Sequence, residues 1–224
     1  QNEITPLPPT HSALLTYLPP PLRAALPDAL SDPDLPPDRS PAPHPWAPMT
    51  DAEWAALRPY LHDPSLGGRP TNRRRAWDAV FWVAASREPW RALPEHLGQP
   101  GSAHRTLARA SASGLLGRLL AALIEGRPGH DRALAPLAWR ILRAIRRIAR
   151  RISLAVLLLA NQIGLHAALP VHAAAMPRPG LSTYYAELTN YRPADRTERY
   201  ALIMAIGRVG AAMAGTPLKL WRTR

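Results

Sequence analysis

The stretch Leu134–Ile152, LAPLAWRILRAIRRIARRI, decides the fold class. Leu134, Leu137, Ala138, Ile141, Leu142, Ile145, Ile148, Ala149 and Ile152 recur with the period of a helix over about five turns. Arg140, Arg143, Arg146, Arg147, Arg150 and Arg151 occupy the other faces. The spacing predicts one long packed helix with an apolar stripe and a basic face. Nowhere does the chain alternate apolar and polar residues with period two for long, so no strand is predicted. The fold reads all-α.

Working outward, the 224 residues carry a net charge of +12, and every cation but Lys219 is an arginine. Such an excess points to a polyanionic partner. There is no cysteine, which excludes a disulfide scaffold, a thiolate metal site and a cysteine nucleophile. The most apolar stretch, Ile152–Met176, is interrupted by Asn161, Gln162, His166, Pro170 and His172. It falls short of the roughly 20 apolar residues a membrane span needs, and a buried helix is expected instead. The chain starts at Gln1, and its proline-broken first thirty residues lack the pattern of a signal peptide.

Charge and proline divide the chain. Residues 1–48 hold 14 of the 27 prolines and net −3 charges, which predicts an extended acidic arm or linker that buries little surface. Within it, Leu14–Leu18 with Leu22 and Leu26 could dock on a partner or on the chain's own core. Residues 49–125 read as a domain of short helices. Thr50-Asp51-Ala52-Glu53 is a capping box, followed by Trp54, Leu57 and Leu61 on one face. Trp77, Val80, Phe81 and Ala84 form the stripe of a helix from about Arg73, which Pro89 stops. Residues 126–224 form an arginine-rich helical region, ending in a predicted helix over Thr197–Ala214 with Leu202, Ile206 and Val209 inward.

Pro94–Gly98, a short connection and a helix over Ser102–Ser111 have the proportions of a helix-turn-helix. Ser102 is the expected N-cap. Ser102, His104, Arg105 and Arg109 would then face outward, with Leu107 and Ala110 packed. These side chains suit the major groove, since an arginine can donate two parallel hydrogen bonds to guanine. Arg69, Arg73, Arg74, Arg75 and Arg91 are the expected phosphate contacts. An ordinary helical corner with solvated arginines is the competing reading.

Four further motifs occur in order across residues 49–123: Met49–Trp54 through Pro59-Tyr60-Leu61; Gly67-Gly68-Arg69-Pro70; Pro89–Pro94; and Gly114-Leu115 through Leu119–Leu123. In their order and spacing they resemble the N-terminal domain of IS5-type bacterial transposases. The resemblance covers about a third of the chain. It implies a helix-turn-helix-like domain that binds double-stranded DNA, in a bacterial, cytoplasmic and nucleoid-associated protein. The family's recognition helix usually carries an aromatic residue, and Ser102–Ser111 has none, so no base preference carries over. The resemblance also implies a downstream catalytic domain with three metal-binding carboxylates. After residue 125 this chain has only Asp131, Glu187, Asp195 and Glu198.

No other catalytic pattern stands out. His166 and His172 lack zinc spacing, no Gly-x-Ser-x-Gly elbow occurs, and no phosphate loop occurs. The expectation is a protein that is not an enzyme and holds no metal or cofactor. Its first reading is a transcription regulator that reads a specific site through residues 102–111. An adaptor whose helical C-terminal half docks a larger protein, through the Arg140–Arg151 region, is the second. A transposase remnant without function is the third. Oligomerisation is compatible with any of them.

Overall fold

The computed structural model describes residues 15–30, 35–61 and 72–215. Among the described residues there are nine α-helices and no strand: α1 (Pro20–Leu30), α2 (Asp51–Leu57), α3 (Arg73–Ser86), α4 (Pro100–Ala112), α5 (Leu115–Ala122), α6 (Ala138–Arg147), α7 (Leu154–Gln162), α8 (Ser182–Asn190) and α9 (Arg196–Ala214). The all-α expectation holds. The chain divides into two compact units, residues 35–173 on one hand and residues 1–34 with 174–224 on the other.

In the 35–173 unit the capping box forms as read. Thr50 Oγ1 accepts from the Glu53 amide at 3.2 Å, and Glu53 Oε2 accepts from the Thr50 amide at 2.7 Å. α3 begins where Asn72 Oδ1 accepts from the Arg75 amide. It buries Trp77, Val80, Phe81 and Ala84, the predicted stripe. It ends at Ser86, three residues before Pro89, because Arg87 adopts the left-handed conformation (φ 65°).

The long basic helix predicted from Leu134 is not continuous. Pro136 holds Arg132–Leu137 in 3-10 geometry, α6 stops at Arg147, and Ser153 caps a separate α7. Nor is the basic face of α6 solvated over most of its length. Every residue from Ala138 to Ile145 is buried, including Arg140 and Arg143. Neighbours surround α6, with α3, α5 and the His166–Ala168 turn all packed on it. Arg140 and Arg143 serve the interior, whereas Arg146 is exposed and Arg147 half-buried. Arg140 Nη2 lies 3.5 Å from Glu53 Oε1, and Arg143 Nε donates to the Ala84 carbonyl at 3.3 Å. Arg147 Nη2 donates to the Glu88 carbonyl at 2.7 Å. The Ala84 bond caps a last-turn carbonyl of α3 that has no partner within its own helix.

Residues 35–49 form no helix or strand, in keeping with their prolines, and are held to the rest of this unit. The Arg39 amide donates to the Gly164 carbonyl at 2.7 Å, the Ala167 amide to Ser40 Oγ at 2.8 Å, and Trp46 Nε1 to the Asp78 carbonyl at 3.2 Å. Gly164 has φ 77°, and a Cβ there would sit 2.2 Å from the Pro37 carbonyl oxygen. Gly164→Ala is therefore expected to lower the stability of this unit by roughly 1–3 kcal/mol, through backbone strain and displacement of the strap. Urea unfolding checks it, and an unchanged midpoint would contradict the close approach.

The other unit corrects the view of the N-terminal arm as a segment that buries little. Its first turns are helical because Pro20 and Pro21 fall in the first turn of α1, where a missing N–H costs nothing. Leu18, Leu22 and Leu26 are buried with Leu188 of α8 and Ala201, Leu202, Ala205 and Val209 of α9. Tyr184 Oη donates to the Leu22 carbonyl at 2.6 Å. Asp195 caps α9 by accepting from the Glu198 amide, and Glu198 accepts from Tyr191 Oη. Both carboxylates are thus engaged in holding the start of α9. Among the described residues, no helix is long and apolar enough to cross a membrane.

Candidate nucleic-acid interface

α4 starts two residues earlier than Ser102. Pro100 takes the first helical position, where its fixed φ is already helical, and Gln99 stands at the N-cap. Ser102 consequently lies inside the first turn, where its Oγ accepts from Arg105 Nη2 at 3.2 Å. The element before α4 is a single 3-10 turn, Glu95–Leu97, closed by Gly98 at φ 104°. The helix that packs along α4 is α3.

Between the start of α3 and α4 runs a cleft of about 460 Å³. Arg73 and Arg75 line one side, and Ser102, Arg105, Thr106 and Arg109 the other, with Trp77, Ala103 and Ala110 among the floor residues. Among the described residues, no carboxylate lines it. Two of the arginines are already oriented. Arg73 Nη1 donates to the Leu61 carbonyl at 3.3 Å, and Arg75 Nη2 to the Glu95 carbonyl at 3.1 Å. Both sit in the first turn of α3, where the helix dipole adds positive potential rather than offsetting their charge. Four guanidinium groups converging with no counter-charge among the described lining residues make a strong local attraction for a polyanion.

The other expected contacts fall elsewhere. Arg74 pairs with Asp51 and donates to the Met49 carbonyl, so it ties α3 to the start of α2. His104 is half-buried, with its ring edge-on to Trp90 at 5.2 Å between centroids. Arg91 is exposed on the Trp90–Ala92 turn, away from the cleft-lining residues. Arg69 lies outside the described residues, as does the Gly67–Pro70 motif. Asn72 and Thr106 line the cleft but were not singled out in the sequence. Thr106 shows a helical signal, four residues after Ser102, whose carbonyl accepts from its hydroxyl at 2.9 Å. Nothing local in the sequence brings Asn72 to α4.

Residues 49–120 match the family described as "Putative transposase of IS4/5 family". This segment carries a transposase-family domain. It contains α2 to α4 and most of α5, and with them every described residue of the cleft. The chain is also similar to the uncharacterized protein y4sN of Sinorhizobium fredii (strain NBRC 101917 / NGR234), at 35% identity over 77 residues. That match covers 34% of this chain and 62% of the relative. No solved structure matches the chain. Among the described residues, no group of three or more His, Asp or Glu side chains is placed to hold a metal ion.

Proposed function

We propose that this chain binds double-stranded DNA through the transposase-like segment and regulates transcription at the site it reads. The observation that carries this reading is the arginine cleft between α3 and α4, which lies within the matched segment and has no carboxylate among its described lining residues. In this reading α4 enters the major groove. Arg105 and Arg109 lie one turn apart on its outer side and donate to base edges, guanine O6 and N7 being their natural acceptors. Arg73 and Arg75 hold phosphates of the strand beside the cleft, and Arg91 is a further phosphate contact. His104 supports Trp90, and Arg74 secures the fold beneath.

The test begins with selection of a preferred duplex from a random pool, followed by salt titrations on the selected and a scrambled duplex. Arg105→Ala should cost about 1–3 kcal/mol on the selected duplex and little on the scrambled one. Arg75→Ala should weaken both alike and lower the salt slope by about one. Equal losses on both duplexes for Arg105→Ala would mean α4 does not read bases. If no sequence is enriched at all, the regulatory reading falls with it.

A further inference from the structure

A second group of arginines lies at the far end of α3. Arg87 follows its last residue, and Arg143, Arg146 and Arg147 come from the last two turns of α6. None of the four forms an ion pair with a described residue. Their fixed contacts are to uncharged groups. Arg143 bonds the Ala84 carbonyl and lies 5.6 Å from the Trp139 ring centroid, while Arg147 bonds the Glu88 carbonyl and lies 5.3 Å from that of Trp90. Burial, then the charges of Arg146, Arg87 and Arg147, push the Arg143 guanidinium down to about 10, so it is still charged at neutral pH.

Clustered like charges cost stability unless an anion offsets them. Arg87 adds a second cost, as the one non-glycine residue among those described with a positive φ. Such strain is commonly retained where a side chain has a task. Arg87 and Arg146 are exposed, so an anion can reach them from solvent.

The position of this group relative to α4 identifies the anion. The exposed face of α4 is made by Gly101, Ser102, Arg105, Arg109 and Ala112. On one flank of this face lies the cleft with Arg73 and Arg75. On the other, His104 contacts Trp90, and Trp90 contacts Arg147. The two arginine groups stand at opposite ends of α3, whose 14 residues span about 21 Å at 1.5 Å per residue. A B-DNA major groove is about 12 Å wide, with a phosphate backbone along each wall. Gly101, Ser102 and Ala112 on this face are small, so α4 can sink between those walls with Arg105 and Arg109 extended toward the bases.

We propose that Arg87, Arg146 and Arg147 form a second phosphodiester-binding site, which holds the strand across the major groove from the one held by Arg73 and Arg75. This rests on the reading of α4 as the groove-entering helix. The guanidinium fork matches two phosphate oxygens at once, which suits it to this task.

The test uses the full chain, fluorescence anisotropy on a scrambled duplex, and the variants Arg87→Gly and Arg146→Gln. Glycine relieves the positive φ at position 87, so Arg87→Gly should fold at least as stably as the unaltered chain while binding DNA more weakly. Each variant should lower the slope of log K against log salt by about 0.9, and the double variant by about twice that. Unchanged slopes in all three, with Arg105→Ala still losing the selected duplex, would overturn this site and leave the reading of α4 intact. Absence of duplex binding by the unaltered chain would overturn both. Binding of poly-glutamate that is lost in the variants, with DNA slopes unchanged, would overturn the phosphate site in favour of an acidic protein face.

Discussion

Arg140→Ala is expected to destabilise the 35–173 unit by about 3–5 kcal/mol, the range for removing one partner of a buried ion pair. Arg140 is 5% exposed and Glu53 8% exposed, and the substitution strands the Glu53 carboxylate in the interior. Its remaining partner is the Thr50 amide of the capping box. Asp78, 7% exposed, adds to the effect. Burial holds the Asp78 carboxyl above its ordinary pKa, against the Met49 amide bond and the charges of Arg74 and Arg140 that favour ionisation. Removing Arg140 takes away one of those charges. Urea unfolding of Arg140→Ala, and of Arg140→Met with Glu53→Gln, measures this. The double variant should recover part of the loss, because neither buried charge is left alone. A loss below 1 kcal/mol for Arg140→Ala would show that the pair contributes no more than a surface contact. The pH dependence has a defined sign. A carboxyl raised in the folded state contributes most below its unfolded pKa of about 3.8, and that contribution is lost as pH rises through the folded value. Asp78→Asn should remove this decline.

Deleting residues 1–34 is expected to unfold α9 altogether. Leu18, Leu22 and Leu26 are 2%, 8% and 5% exposed and form one side of the small core under α8 and α9. A single buried Leu→Ala substitution costs about 2–5 kcal/mol. Loss of all three therefore reaches the whole 5–15 kcal/mol that holds a typical domain together. Alone, α9 has little to hold it, since Gly207 and Gly210 each weaken a helix by about 1 kcal/mol relative to alanine. Amide hydrogen exchange on the deleted chain reads the outcome. The amides of Ala201–Val209 should lose their protection. If they keep it, the leucines are not the core of this unit. A Leu22→Ala variant, which leaves the chain intact, should show a partial loss at the same amides.

The sequence by itself determined the helical class and the faces of individual helices. The Thr50–Glu53 capping box, the Trp77–Ala84 stripe and the inward Leu202 and Val209 are local matters of spacing and hydrogen-bond reach, so they were legible one segment at a time. So was the transposase-like segment, whose motifs are contiguous in the chain. Only the tertiary structure decided which arginines meet solvent. Periodicity places Arg140 and Arg143 off the apolar stripe, but it does not say how many neighbours surround a helix. α6 is enclosed, and a long side chain with a planar fork reaches buried carbonyls and a buried carboxylate as readily as it reaches water. The same holds for the cleft. Arg73 and Arg105 are 32 residues apart, and only the packing of α3 on α4 places them on one opening. In the N-terminal arm, residues 35–49 form no helix or strand, while the proline content concealed a helix at Pro20, where proline is tolerated. Local rules fix what each segment is able to do, while the partners it meets depend on contacts between residues far apart in the chain.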